Sequence, residues 1–144
     1  MNKSIVARSQ VAAPVAGFPV AVRAGHLLFI SGRAGLAHDN GFALTGYREL
    51  GRKPVPALGL LAPDSWEEVF VAQAARIYED LETLLVEQGG KKTDLLFYSI
   101  YKREMRNFPV LARTRAALFD GGVAPPSTAS QVPALLHADS VLYF

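Results

Sequence analysis

The stretch "SWEEVFVAQAARIYEDLETLLVEQGG", residues 65–90, decides the fold. Its apolar residues Phe70, Ala74, Ile77, Leu81, Leu84 and Leu85 recur at three- and four-residue spacing, which predicts a helix with one core-facing stripe. "SWEE" offers a capping box, with Ser65 covering the Glu68 amide while Glu68 reaches back to Ser65. Gly89 and Gly90, tolerant of positive φ, end the helix. Glu79, Asp80 and Glu82 are assigned to the side away from the stripe, where solvation is expected.

Working outward, a stripe of this kind must be buried against other elements. Upstream, "FPVAVRAGHLLFIS" (Phe18 to Ser31) reads as two strands around Ala24-Gly25. Gly32 to Pro63 is rich in glycine and proline and reads as a long loop, with Phe42 to Leu44 as a short third strand. Downstream, "LLFYSIYK" (Leu95 to Lys102) is apolar on both faces and predicts a central strand covered on each side. Asn107 is expected to cap a second helix, "FPVLARTRAALFD", with Pro109 in its first turn and Gly121-Gly122 after its end. "STASQVPAL" and "SVLYF" read as short strands joined by a polar turn at His137 to Asp139.

This order predicts an α+β fold of one domain over residues 1–144, a mixed sheet with two helices packed on one face. The other sheet face, with Phe29, Phe97, Ile100 and Tyr101 assigned to it, then needs a cover that oligomerisation would supply.

Composition excludes several functions. Half of the 144 residues are hydrophobic and 19% are charged, so the chain can offset the entropy of ordering and should fold. A net charge of +2, spread thinly, argues against nucleic-acid binding. The absence of cysteine removes disulfides, thiolate metal sites and cysteine nucleophiles, and fits a cytoplasmic location. No run of 18 apolar residues offers a membrane span. His26, His38 and His137 lack metal-ligand spacing, so neither metal nor cofactor is expected; His26 reads as structural, and His38 and His137 as solvated. Ser31 is the best candidate hydroxyl, because it ends an apolar strand and precedes Gly32, although a plain strand-ending turn explains the pair equally.

Taken together, "VAGFPVAVRAGHLLFISGRAGL", "QAARIYEDLETLL", "NFPVLARTRAALF" and "PPSTASQVPAL" resemble the YjgF/RidA superfamily of reactive-intermediate deaminases over residues 14–144. The resemblance implies a chorismate-mutase-like two-layer fold, a homotrimer, and a small-molecule cleft between subunits. It also implies ligand-binding positions at Phe18, Ser31, Gly32, Ala112, Pro126, Ser127, Thr128 and Tyr143. Enamine and imine deaminases of this kind grip the substrate carboxylate with an arginine just before the Ser-Thr turn, where this chain has Pro126. They position water with a glutamate in the last strand, which falls at Tyr143, or at Val141 if the turn is counted differently. Their asparagine falls at Ala112 and their first-strand tyrosine at Phe18.

No shift of register restores the pair, since no Arg or Lys follows Arg115 and no Glu follows Glu104. Arg33 offers a replacement cation on another wall of the cleft, or else a surface or inter-subunit ion pair. Two functions stay open: a non-catalytic trimer binding a small metabolite or a partner protein, and a divergent hydrolase or deaminase acting on an imine, enamine or carbonyl compound with Ser31 at its oxyanion site. Ribonuclease activity is disfavoured by the weak charge.

Overall fold

A computed structural model describes residues 2–144 except Arg8, Ala12, Ala13, Val15, Ala16, 51–66, Asp120 and Gly121. Its strands are β1 (Lys3–Val6), β2 (Ala21–Ala24), β3 (Leu27–Ile30), β4 (Tyr98–Lys102), β5 (Ser127–Gln131) and β6 (Leu142–Tyr143). Its α-helices are α1 (Tyr47–Leu50), α2 (Glu67–Glu87) and α3 (Phe108–Leu118).

The predicted hairpin is present: β2 and β3 pair antiparallel around Gly25, whose φ of 60° suits a residue without Cβ. His26 stands exposed in that turn rather than taking a structural role. β1 was not anticipated, because "KSIV" is mostly exposed and carries little apolar signal; it pairs antiparallel with β2. A second sheet has the order β5-β4-β6, with β4 and β5 parallel and β6 antiparallel to β4. α3 lies in the crossover from β4 to β5, the kind of connection that parallel neighbours require. The sheets join where Arg33 N–H donates to Phe144 O at 2.6 Å and Phe144 N–H returns a bond to Arg33 O at 2.9 Å.

All six stripe residues of α2 are buried; Phe70, Ala74, Ile77 and Leu81 pack with Val110 and Leu111 of α3 against Tyr98, Ile100 and Leu142 of the sheet, and Leu84 packs with Val11 and Val20. Each large aliphatic or aromatic side chain so buried contributes roughly 1.5–3 kcal/mol. Gly89, at φ 79°, turns the chain out of α2 while the Gly90 amide bonds back to Leu85 O at 2.7 Å. The Ser65 capping box lies outside the described residues, while the Glu68 carboxylate accepts the Tyr47 amide at 2.9 Å.

Four expectations need correction. The central strand begins at Tyr98, because a 3-10 turn at Lys92–Asp94 precedes it and Leu96 and Phe97 stand exposed. Ile100 faces the helices at 1% exposure, so it does not belong to the open face. The Phe42 to Leu44 strand reduces to one bridge, Ala43 to Leu36, across a turn closed by Gly41 N–H on Ala37 O. Asn107 occupies the cap position of α3 without a side-chain bond, since a 3-10 turn at Met105–Asn107 already directs the chain.

One buried side chain ties these layers together. Gln73 of α2 donates to Leu44 O at 2.9 Å and to Asp139 O at 3.0 Å, and accepts the Val141 amide at 2.9 Å. Its amide thus satisfies backbone groups of two irregular segments that have no strand partner there.

Candidate functional site

A concavity of about 640 Å³ opens between β3 with its continuation to Arg33 on one side and residues 95–99 on the other. Leu81 and Leu85 of α2 line it from the helix side, and Tyr143 and Phe144 close one end. Of the residues expected at the ligand site, Ser31, Gly32, Arg33 and Tyr143 line this groove. Phe18 is exposed ahead of β2, and Ala112, Pro126, Ser127 and Thr128 lie away from the groove within one protomer.

The alternation of β5 explains part of this separation. Ser127 and Ala129 point into the helix layer, where Ala129 packs on the core and Ser127 Oγ accepts a 2.9 Å bond from Arg115; Thr128 points the other way and is exposed. Arg115 is a guanidinium that sequence reasoning missed at this place. It reaches the Pro126-Ser127 corner from α3, yet from the helix face of the sheet, and also donates to the Tyr98 hydroxyl at 3.4 Å. Burial, and then the neighbouring Tyr98, push the Tyr78 hydroxyl well above the usual phenol range, with the two hydroxyls 2.7 Å apart.

The groove's polar groups are committed to the scaffold. Ser31 Oγ donates to Pro19 O at 2.6 Å, so the proton that a nucleophile would surrender already holds the β2 entry. The Tyr143 hydroxyl donates to Gly32 O at 3.0 Å, and burial raises its pKa while Arg33 opposes the rise. A Cβ on Gly32 would collide with the Tyr143 ring, so glycine is required for this ring to lie over the chain.

Arg33 lines the groove but is not a solvated side chain. It is 5% exposed, and its Nη2 pairs with Asp80 Oδ2 at 3.0 Å. Asp80, expected in solvent, is 2% exposed; around α2 it lies about 40° beyond Leu84, at the border of the core stripe beside the buried Gln73. The helical spacing carried that signal. The other carboxylate oxygen meets His38 Nε2 at 2.8 Å, so His38 is a hydrogen-bond partner of Asp80 with a half-exposed side chain rather than a solvated turn residue. Arg76 stands 3.4 Å from the same ring nitrogen and 3.4 Å from Glu79.

Two features define the class: a mixed sheet with two helices on one face, and a groove beside the Ser31-Gly32 strand end. Among solved structures the chain is similar to a candidate endoribonuclease from Klebsiella pneumoniae, with 25% identity over 88% of this chain and 94% of that one and a TM-score of 0.76. RidA from the Antarctic bacterium Psychrobacter sp. matches at 20% identity, 97% and 94% coverage and TM-score 0.71. The YjgF gene product of E. coli matches at 15%, 97%, 93% and 0.71. No protein-family model and no curated protein sequence matches the chain. The chain has the chorismate-mutase-like fold of these YjgF/RidA proteins. Among the described residues no helix is long and apolar enough to cross a membrane.

Proposed function

We propose that this chain is a small-molecule-binding member of the YjgF/RidA superfamily that assembles as a homotrimer and does not run enamine or imine deamination. The observation that carries the reading is the fate of Arg33: this guanidinium, which lines the groove, is held at 3.0 Å on a buried carboxylate. A guanidinium so paired has its charge balanced and cannot grip a substrate carboxylate without giving up Asp80. The positions corresponding to the deaminase arginine and glutamate hold Pro126 and Tyr143, neither of which supplies a clamp or a carboxylate base.

The open sheet face supports self-association. Phe29, Phe97 and Tyr101 are 59%, 55% and 45% exposed, and such aromatic area on a protein of this size marks a contact surface. In a trimer, Thr128 on that face would approach a neighbouring protomer's groove, giving the inter-subunit cleft. The occupant of such a cleft would be a flat or apolar metabolite.

The test is ammonia release from freshly generated 2-aminoacrylate, with a deaminating relative as positive control, alongside light scattering for mass. Background ammonia production and a trimer mass are expected. Turnover comparable to the control would overturn the non-deaminase reading, and a monomer at all concentrations would overturn the cleft.

A further inference from the structure

Three side chains that do not line the groove come together outside it: His38, Asp80 and Arg76. His38 Nε2 stands 2.8 Å from Asp80 Oδ1, while Asp80 Oδ2 holds Arg33 at 3.0 Å. A carboxylate paired in this way only accepts, so the proton of a neutral His38 ring sits on Nε2 and Nδ1 keeps its lone pair. Asp80 is buried whereas the His38 side chain is 44% exposed, so the ring is anchored at Nε2 and open to solvent beyond it. An aspartate that fixes the tautomer and orientation of a histidine prepares the other ring nitrogen to act as base or nucleophile.

Arg76 leaves that nitrogen accessible. Its Nη1 is 3.5 Å from Nδ1 and 3.4 Å from Nε2, and an atom nearly equidistant from both nitrogens cannot lie along the lone-pair axis of Nδ1. The guanidinium therefore covers a face of the ring, where it can meet negative charge developing on an attacked carbonyl oxygen. Charges nearby balance in pairs, Arg33 with Asp80 and Arg76 with Glu79 at 3.4 Å, and the exposed Asp39 follows His38 in the chain. That setting offers no net attraction to a phosphoryl or carboxylate anion, so an uncharged acyl donor is the electrophile that suits it.

We propose that His38 is a nucleophilic imidazole, a reactive centre separate from the groove, which takes the acyl group of an uncharged activated ester and passes it to water. The bond from Nδ1 to the acyl carbon forms as the ester C–O bond breaks, and the alcohol or phenol oxygen leaves with the electron pair. The ring, now cationic with its proton still on Nε2, faces the Asp80 carboxylate. Water then attacks the acyl carbon, the bond to Nδ1 breaks to return the neutral ring, and the carboxylic acid departs, its proton going to solvent. This reading is independent of what the groove binds.

The experiment treats the full chain briefly with diethyl pyrocarbonate and maps carbethoxylation by mass spectrometry, with His26 and His137 as internal references. His38 should react about tenfold faster than either. With p-nitrophenyl acetate, His38→Gln should lose most of the p-nitrophenol release, Arg76→Gln should lower kcat several-fold with KM little changed, and His137→Gln should match the wild type. Proton–nitrogen correlation spectra of the ring should place the His38 proton on Nε2, the signature of the bond to Asp80. Equal modification of the three histidines, or release unchanged in His38→Gln, overturns the nucleophile. A proton on Nδ1 overturns the tautomer on which it rests, and an unchanged kcat in Arg76→Gln overturns the part given to Arg76.

Discussion

Asp80 and Arg33 meet 3.0 Å apart with side chains 3% and 5% exposed, one on α2 and the other at the end of the β3 continuation. The pair converts what would be two unaffordable buried charges into a fixed joint between helix and sheet. Removing one partner strands the other, so Asp80→Ala should cost about 3–5 kcal/mol in urea unfolding. Replacing both by apolar residues, as Arg33→Met with Asp80→Leu, should recover most of that loss. A double variant as unstable as Asp80→Ala would show that the pair is held by something other than mutual charge compensation.

Gln73 invites a second measurement. Its side chain makes three hydrogen bonds to backbone groups of Leu44, Asp139 and Val141. Gln73→Leu leaves those groups unmatched in a dry interior, at about 1–3 kcal/mol for each one that water cannot reach. A midpoint shift below that of an ordinary surface substitution would refute the role.

Lys102 is fully buried on β4, its Nζ 5.0 Å from the Phe70 ring centroid and 5.4 Å from that of Phe108. Burial depresses its pKa to about 8, with Glu104 opposing. The unfolded chain keeps the proton up to the ordinary lysine value of about 10.4. Stability therefore rises with pH between about 8 and that value, and the penalty is fully present below about 8. Lys102→Met should stabilise at pH 7 by on the order of 1 kcal/mol, since the ring faces offset part of the charge cost. The gain should shrink as pH rises toward 10; a gain constant with pH would sink this account.

Two of the close-packed glycines, Gly32 and Gly35, should respond differently to alanine. At Gly35 a Cβ would strike the Gln73 backbone of α2, which cannot move without shifting the helix. At Gly32 it would strike the Tyr143 ring, which can swing out at the loss of one hydrogen bond. Gly35→Ala should therefore cost several kcal/mol or abolish folding, and Gly32→Ala about 1–3 kcal/mol. Tyr143→Ala should restore only the Gly32 variant, as read by thermal melts.

Much of the architecture was legible because period and punctuation agreed. The α2 stripe, the Gly25 turn and the Gly89 stop each follow from local chemistry, and each appears where expected. What escaped was whatever depends on a distant partner. β1 is a strand only because Ala21–Ala24 offers it an edge, and Gln73 looked like any polar residue until the segments around Leu44 and Asp139 came to it. The helical repeat sets Asp80 at the border of the stripe, beyond Leu84 and beside Gln73, rather than on the opposite face; an assumption that acidic residues seek water hid it. Arg33 was recognised as the cation near the strand end, yet its direction was decided by Asp80, 47 positions away.

The seam at Phe144 also bears on how the chain reaches this state. The Tyr143 hydroxyl and the Gly32 carbonyl that it meets are 111 residues apart, so this contact closes a long loop. Such closure is entropically costly and is expected after α2, α3 and the β2–β3 hairpin have formed locally. Substitutions at the seam should hasten unfolding while leaving the refolding rate nearly untouched, which makes β6 a kinetic latch.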